Sequence, residues 1–301
     1  MDITLLNGTP CAYELTAARS QYPTLVFVHG WLLSRHYWQP VVTRLSDTYR
    51  CLTYDLRGFG DSQLASSAPG TRRSHPNGEF TPGSPYSLQA YAQDLIDLLH
   101  ALKLSEVWLV GHSLGGSIAL WAAQQQPATI AGVICLNAGG GIYLKEDFDR
   151  FRAAGTQLVK YRPRWLTRVP FLDAVFARLN VARPIARPWG RQRIRDFVTA
   201  CPDAALGSLL DSTTEAEVNR LPRLVAHLSQ PVYFIAGSQD DVMQPQYVRH
   251  LASFHPLFAE TGQNVLELPN CGHLAMLEQP DAVANQIATI VAARCPSSQI
   301  G

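Results

Sequence analysis

The sequence lacks the features that mark several classes of protein. None of its six cysteines forms a C-x-x-C pair, which argues against a zinc site or a redox motif and fits a reducing compartment. The N-terminus has no basic start followed by an apolar run, so we expect no signal peptide. No segment approaches ~18 consecutive apolar residues, so we expect no transmembrane helix. These absences favour a cytoplasmic protein.

The composition is that of a soluble globular protein. The chain has 301 residues, of which 47% are hydrophobic and 16% charged, and its formal net charge is +1. A chain of this length can bury roughly three quarters of the surface of its unfolded state, so its core needs no disulfides. We therefore expect most of the cysteines to be small core residues, namely Cys11, Cys51, Cys135, Cys201, Cys271 and Cys295.

The near-zero net charge hides an uneven distribution. Residues 150–195 contain twelve Lys or Arg and a single acid, Asp173, giving this stretch a charge of +11 and the remaining chain a charge of −10. The stretch is either a solvated helical face whose arginines pair with acids elsewhere, or a surface that meets anionic lipid or an anionic substrate.

Short apolar runs predict strands that are buried on both faces of a sheet. They alternate with helix-like segments, the clearest of which follows Ser87, a predicted N-cap, and this alternation predicts an α/β fold with a mostly parallel sheet flanked by helices. A closing helix is expected over residues 281–293. The predicted strands are residues 24–28, 51–54, 107–110, 132–136, 231–235 and 264–268, with a weaker one at 11–15.

Two stretches interrupt this alternation. Residues 63–85 are rich in Ser, Pro, Gly and Arg and are longer than ordinary connections, so they are expected to form a mobile loop or flap. Residues 141–228 contain helix-like patches but no convincing strand, carry the basic stretch, and include Trp165 and Trp189. We interpret them as a helical cap inserted into a core formed by residues 1–140 and 229–301.

The motif Gly111-His-Ser113-Leu-Gly115 has the form G-x-S-x-G and lies between a predicted strand and a predicted helix. Glycines at both ends permit a sharp turn that holds the Ser113 hydroxyl at the carboxyl end of the strand, and the helix N-terminus behind it favours developing negative charge. The bare pattern occurs by chance in ~10% of chains this long. Because the motif lies between a strand and a helix, we interpret it as a nucleophile elbow and not as an ordinary glycine-rich turn. Ser113 is therefore the predicted nucleophile.

A serine nucleophile needs a base, and the base needs an acid to orient it. Asp240 and Asp241 follow the strand that ends near residue 235, and His273 follows the next strand. The chain order Ser, Asp, His, with each residue at a strand end, is that of hydrolases with a nucleophile elbow. We predict Asp240 as the acid and leave Asp241 as the alternative.

Acyl transfer also needs donors for the oxyanion of the tetrahedral intermediate. The sequence His29-Gly30-Trp31 ends another buried strand with a small residue where backbone amides can turn inward. We predict the backbone N–H groups of Trp31 and Leu114 as the oxyanion hole, where one donor contributes ~3 kcal/mol in the transition state. His29 is expected to be structural.

These motifs together resemble those of the α/β-hydrolase fold superfamily, along nearly the whole chain. The resemblance implies that Ser113, Asp240 and His273 form a catalytic triad, and that residues 55–60 form a structural turn. Relatives that act through an aspartyl ester are disfavoured, because the elbow carries a serine. The matching segments are His29-Gly-Trp31, Asp55-Leu-Arg-Gly58-Phe-Gly60-Asp-Ser62, Gly111-His-Ser-Leu-Gly115, Gly237-Ser-Gln-Asp240 and Gly272-His273.

The predicted cap is similar to that of chlorophyll dephytylases and their cyanobacterial relatives, which cleave the phytyl ester of chlorophyll. This resemblance rests on Gly139-Gly-Gly-Ile-Tyr-Leu-Lys-Glu-Asp-Phe148, Arg162-Pro-Arg-Trp165, Ala182-Arg-Pro184 and Trp189-Gly-Arg-Gln-Arg193. It implies an ester hydrolase without cofactor or metal that acts in chlorophyll catabolism. Its basic, aromatic cap would suit peripheral contact with an anionic internal (thylakoid) membrane.

Other functions use the same fold and stay open at this point. A general carboxylesterase or lipase, a thioesterase and a cofactor-free C–C bond hydrolase could share the triad, and the fold also serves as a non-catalytic ligand receptor. The expected partner is a lipophilic ester of low molecular mass. No nucleic acid is expected, because no recognised binding module is present, and no required protein partner is apparent.

Overall fold

The computed structural model describes residues 1–17, 22–63, 84–139, 145–261 and 264–294. Eight strands form one sheet in the order β1-β2-β4-β3-β5-β6-β7-β8. Strands β1 and β2 pair in antiparallel fashion at one edge, and β2 is antiparallel to β4. The other pairs are parallel. The strands are β1 (Asp2–Leu6), β2 (Thr9–Leu15), β3 (Leu25–Val28), β4 (Cys51–Tyr54), β5 (Val107–His112), β6 (Ile130–Leu136), β7 (Val232–Gly237) and β8 (Val265–Leu268).

Helices cover both faces of this sheet. Successive residues of β3 point to opposite faces, as in any strand. Val26 and Val28 pack with α2 and α3, whereas Leu25 and Phe27 pack with α1 and α12. All four residues of β3 are therefore apolar and buried. The predicted α/β fold is confirmed. The helices are α1 (Gln39–Leu45), α2 (Leu88–Ala101), α3 (Leu114–Gln125), α4 (Lys145–Lys160), α5 (Leu172–Phe176), α6 (Arg187–Thr199), α7 (Pro202–Ser212), α8 (Glu215–His227), α9 (Pro245–Ala252), α10 (Pro256–Thr261), α11 (Ala275–Glu278) and α12 (Pro280–Ala292).

The start of α2 follows its sequence. Ser87 lies just before the helix in an extended conformation, and its side chain accepts a hydrogen bond of 3.1 Å from the N–H of Ala90. This bond satisfies one of the donors that the first turn of a helix leaves without a partner, as an N-cap does. The leucines and Tyr91 of the helix are buried against the sheet.

The chain between β6 and β7 is helical in its described part, residues 145–228. It contains α4 to α8 and a 3₁₀ turn (Arg164–Arg168), and we call it the insertion. Its division from the core at 141 and 228 stays a prediction. Residues 64–83 of the predicted loop, residues 140–144 and Cys295 lie outside the described residues. The five described cysteines are free thiols, four of them buried.

No helix in the described ranges is both long enough and apolar enough to cross a lipid bilayer.

A buried carboxylate joins the insertion to the core. Asp196 of α6 accepts hydrogen bonds from the hydroxyl of Ser34 (2.9 Å) and from the side-chain amide of Gln192 (3.0 Å). Only 4% of Asp196 is exposed. Burial raises the pKa of Asp196 to about 7, against the opposing effect of these hydrogen bonds.

This raised pKa predicts how stability depends on pH. Between about pH 4, where the carboxyl of the unfolded chain ionises, and about pH 7, the folded state binds more protons than the unfolded state, so stability falls as the pH rises. Asp196→Asn removes this effect. We expect the variant to be more stable than the wild type at pH 8. Its Tm, measured by thermal unfolding, should fall less than that of the wild type between pH 5 and pH 8.

Asp203→Asn, at an exposed carboxylate of α7, is the control and should follow the wild type. A wild type that gains stability relative to Asp196→Asn over this pH range would contradict the assignment.

Candidate active site

Ser113 lies at a sharp turn between β5 and α3. Its backbone has φ 52° and ψ −120°. This conformation is unfavourable for any residue other than glycine, and it is found at nucleophile elbows. The backbone of β3 packs closely against this turn, which is possible because glycine has no Cβ atom. A Cβ atom at Gly115 would lie 2.3 Å from the carbonyl oxygen of Val28, so this position requires glycine. The turn leaves Ser113 at the carboxyl edge of the sheet.

Asp240 and His273 meet at the same edge, beyond the ends of β7 and β8. The Nδ1–H of His273 donates a hydrogen bond of 2.9 Å to Oδ2 of Asp240. The other carboxylate oxygen of Asp240 accepts from the backbone N–H groups of Val242 (2.8 Å) and Met243 (2.9 Å). Burial by itself raises the pKa of Asp240. The nearby His273 and the hydrogen bonds outweigh burial and hold this pKa below its ordinary value, so the carboxylate is ionised at neutral pH. Asp241 is exposed to solvent.

In the described structure no hydrogen bond joins the hydroxyl of Ser113 to the imidazole of His273, whose Nδ1 is bonded to Asp240. His112, the neighbour of Ser113 in the chain, connects the two positions, because its ring lies 4.8 Å from that of His273. Pairs of nucleophile and base are often looser in the unliganded state and shorten when substrate binds.

Asn137 is hydrogen-bonded to Asp240, a contact that the sequence analysis did not identify. Its side-chain amide donates to Oδ2 of Asp240 (2.8 Å) and to the carbonyl oxygen of Gly272 (3.1 Å). It thus connects the loop after β7 with the loop that carries His273. The signal available in the sequence is its position directly after β6, the strand that lies between β5 and β7 in the sheet.

His112 is a second residue that the sequence analysis missed. Its Nε2–H donates a hydrogen bond of 2.8 Å to the carbonyl oxygen of His273. In the described part of the chain its Nδ1 has no hydrogen-bond partner. Burial lowers the pKa of His112 to about 3, so the ring is neutral at physiological pH. His112 is therefore placed to position the backbone of His273 rather than to exchange protons.

The loop after β3 packs against the elbow. A Cβ atom at Gly30 would lie 2.7 Å from Nδ1 of His112 and 3.1 Å from Cβ of Ser113, so only glycine lets the loop approach this closely. Among the described residues the backbone N–H of Trp31 has no hydrogen-bond partner, and Leu114 begins α3, where helix N–H groups lack partners within the helix. Both predicted oxyanion donors thus flank the loop–elbow contact.

His29 is structural, as expected. Its Nδ1–H donates to the carbonyl oxygen of Gly30 (2.8 Å), and its Nε2 accepts from the N–H of Leu56 (3.0 Å). The turn at residues 55–60 is structural as well, because the carboxylate of Asp55 accepts hydrogen bonds from Arg35 and from the backbone of Asp61. Neither group is left to act on a substrate.

The insertion touches the site at two points. The indole N–H of Trp31 donates to the carbonyl oxygen of Ala205 on α7 (2.8 Å), and the carbonyl oxygen of Asn180 accepts from the backbone N–H of His273 (2.9 Å). Both the loop after β3 and the loop that carries His273, which we call the histidine loop, are therefore fixed against the insertion. In the described ranges no group of three or more His, Cys, Asp or Glu side chains is arranged to hold a metal ion.

This combination of fold and site matches a known family. The profile of the Alpha/beta hydrolase family matches residues 25–286, which include the elbow and both loops. The chain belongs to the alpha/beta hydrolase family. Curated relatives of this alpha/beta hydrolase include 2-succinyl-6-hydroxy-2,4-cyclohexadiene-1-carboxylate synthase of Enterobacter sp. (strain 638), which is 29% identical, with 96% of this chain and 98% of the relative covered. An uncharacterized hydrolase of Bacillus subtilis is 26% identical, with 89% of each chain covered.

Solved structures of hydrolases share the fold. An esterase from Thermogutta terrifontis superposes with a TM-score of 0.70 at 23% identity, with 98% of this chain and 97% of the esterase covered. A putative lipase from Acinetobacter baumannii superposes with a TM-score of 0.75 at 20% identity, with 97% and 91% covered. At these identities the likeness shows the architecture alone.

The contact of His112 with the histidine loop gives a testable expectation. His112→Leu removes the donor to the carbonyl oxygen of His273, so the loop should be held less firmly and kcat for hydrolysis should fall by roughly tenfold or more, with KM little changed. His112→Gln can place an amide N–H near the same oxygen and should restore much of kcat. A residue that only fills space would instead be replaced best by leucine, so a more active leucine variant would contradict the positioning role.

Proposed function

We propose that this alpha/beta hydrolase is a serine-dependent carboxylic ester hydrolase. Ser113 is the nucleophile, His273 the general base and Asp240 the acid that orients it. The observation that carries the proposal is the hydrogen bond of 2.9 Å between His273 and the buried, ionised Asp240, beside a serine held at positive φ. This pairing sets which nitrogen of His273 carries the proton and leaves its Nε2 free to accept the serine proton.

The proposed reaction follows from these positions. His273 accepts the hydroxyl proton of Ser113 as its oxygen attacks the ester carbonyl. The backbone N–H groups of Trp31 and Leu114 donate to the oxyanion that forms, and the N-terminus of α3 favours the same negative charge. The tetrahedral intermediate collapses, the ester C–O bond breaks, and His273 protonates the leaving alcohol. Water, activated by His273, then attacks the acyl-enzyme and releases the carboxylic acid.

For the substrate we propose a lipophilic ester, and specifically the phytyl ester of chlorophyll. The support is the resemblance of the insertion, through Arg162-Pro-Arg-Trp165, Ala182-Arg-Pro184 and Trp189-Gly-Arg-Gln-Arg193, to chlorophyll dephytylases. The Gly139–Phe148 part of that resemblance falls mostly on residues outside the described ranges. The insertion would then act as a cap, because it contacts both Trp31 and the His273 loop, and its apolar side chains would surround the phytyl chain.

The test is incubation of detergent-dispersed chlorophyll a with the wild type and with Ser113→Ala, followed by chromatography of chlorophyllide and free phytol. We expect the wild type to release both products in equal amounts and the variant to release neither. Absence of release, with p-nitrophenyl esters still hydrolysed, would reject the pigment substrate and keep the ester hydrolase. Absence of turnover on both would count against the ester hydrolase itself.

A second candidate is a reaction other than ester hydrolysis by the same residues, such as cleavage of a carbon–carbon bond. The similarity to the carboxylate synthases favours a non-ester reaction, since their name describes formation of a cyclohexadiene carboxylate. Mass spectrometry of the products from a panel of esters, thioesters and C–C bond substrates separates the two functions. Ester products would support the proposal, and a C–C cleavage product formed without any ester hydrolysis would replace it.

A further inference from the structure

One stretch of the insertion exposes an unusual amount of apolar surface. Tyr161, Phe171 and Trp165 are 76%, 74% and 61% exposed, although soluble monomers rarely leave several large apolar side chains open to water in one place. We call residues 158–179, which run from the end of α4 through α5, the basic-aromatic segment. Its large exposed apolar side chains are Leu158, Tyr161, Trp165, Phe171, Val175 and Leu179.

The same segment is exposed and positively charged. Its exposed cations are Lys160, Arg164, Arg168 and Arg178, and its one acid, Asp173, is already engaged. Asp173 is buried, and its carboxylate accepts hydrogen bonds from Arg187 and Arg191. The acid therefore does not neutralise the four exposed cations.

Other arginines of the insertion serve its internal structure. Arg162 donates to the carbonyl oxygens of Val159 (3.0 Å) and Phe197 (2.8 Å), and Arg193 donates to that of Leu179 (2.8 Å). The basic stretch thus includes arginines that donate to backbone carbonyls, arginines that pair with Asp173, and cations that face solvent.

Positive charge continues from the segment into a neighbouring cavity of about 490 Å³. Its described lining includes Lys160, Arg162 and Arg164, together with Arg57, and no carboxylate. Arg57 is paired with Asp94, which stands outside this lining, so the net charge facing the cavity comes from the insertion.

We propose that the basic-aromatic segment docks the protein on an anionic phospholipid bilayer. Aromatic side chains, tryptophan above all, favour the boundary between lipid headgroups and acyl chains, and Lys and Arg beside them are attracted to anionic headgroups. A second copy of the chain is a poor occupant, because two segments with four exposed cations each would repel. An acidic protein would match the charge but would give the exposed aromatic side chains no acyl phase to enter.

This inference is independent of the catalytic proposal, because vesicle binding is measured without turnover. The probes are vesicles of phosphatidylcholine alone and of phosphatidylcholine with phosphatidylglycerol, and the readout is the partition coefficient from co-sedimentation at several salt concentrations. The test variant is Lys160→Gln/Arg164→Gln/Arg168→Gln. The matched control, Lys103→Gln/Arg223→Gln/Arg294→Gln, removes the same charge from exposed positions outside the segment.

We expect binding to the anionic vesicles, weaker binding to the neutral ones, and a loss of affinity as salt rises. Each cation near an anionic surface contributes about fivefold, so the test variant should bind roughly 100-fold more weakly while the control stays close to the wild type. Trp165→Gln should lower the partition coefficient by about tenfold, since it removes a large inserting side chain. Phe254→Gln, at an exposed aromatic residue outside the segment, should have little effect.

Three results would overturn the proposal. The first is absence of binding to the anionic vesicles. The second is an equal loss in the test and control triple variants, which would mean that only net charge matters. The third is binding of soluble polyglutamate that depends on the same three cations, together with vesicle binding that Trp165→Gln leaves unchanged, which would assign the segment to an acidic protein partner. Unchanged thermal unfolding of each variant establishes that the segment, and not the fold, was altered.

Discussion

The Ser113→Ala variant is expected to lose ~10⁵-fold or more of kcat for ester hydrolysis while it keeps the wild-type fold. Without the hydroxyl, no acyl-enzyme can form, and only the oxyanion donors and substrate binding remain. The fold should tolerate the change, because the Ser113 side chain makes no hydrogen bond within the described residues and alanine has a similar backbone preference at this turn. The measurement is steady-state hydrolysis of a p-nitrophenyl ester, with circular dichroism and thermal unfolding as checks.

Ser117→Ala is the matched control, because Ser117 lies on the same helix, α3, one turn beyond the elbow. Its turnover should equal that of the wild type. Turnover by Ser113→Ala at more than a small percentage of the wild-type rate, in a preparation free of contaminating esterase, would assign the nucleophile to another residue.

Asp240→Asn is expected to lower kcat by ~10⁴-fold, whereas Asp241→Asn should stay within about twofold of the wild type. An asparagine at position 240 cannot stabilise the imidazolium that forms on His273, and its amide can hold the ring in the wrong tautomer. Asp241 is one residue away and solvent-exposed, so its replacement leaves the hydrogen bond between Asp240 and His273 in place.

The pair of variants is its own control, because both remove one carboxylate from the same loop. Kinetics should be accompanied by thermal unfolding, since Asp240 also accepts two backbone hydrogen bonds in that loop. If Asp241→Asn proves the more damaging change, the acid is misassigned by one residue. Equal and small effects would mean that His273 acts without an orienting carboxylate.

The fold could be predicted from the sequence because its strands are buried on both faces. Leu25 to Val28 and Cys51 to Tyr54 are apolar or uncharged at every position, and in the structure each residue of these strands is buried. The site followed from the same reasoning. The carboxyl ends of parallel strands meet at one edge, so polar residues that directly follow β5, β7 and β8 had to come close together.

The supporting residues of the site could not be predicted in this way. The contact of Asn137 with Asp240 depends on β6 lying between β5 and β7, which the sequence does not state. His112 occupies the variable position of the G-x-S-x-G motif. Its role depends on the return of the chain to His273, 161 residues later.

The basic stretch shows the same limit. The sequence left two readings of its charge open, arginines paired with acids or a surface that meets an anionic partner, and some arginines have a third role that neither reading included. Arg162 and Arg193 donate to backbone carbonyls inside the insertion, which only the packing of its helices could reveal. Lys160 and Arg168 remain on the surface beside Trp165. Composition gives the total charge of a segment, and the fold decides which part of it faces a partner.

The most direct test of the account is covalent labelling of the nucleophile. Wild-type protein is incubated with an alkyl fluorophosphonate, a reagent that phosphonylates activated serine hydroxyls, and is then measured as intact protein and as peptides by mass spectrometry. We predict the addition of one phosphonyl group per chain, located on Ser113, and a loss of labelling in Ser113→Ala and in His273→Ala. Absence of labelling in the wild type, or a label on another residue that persists in Ser113→Ala, would contradict the account.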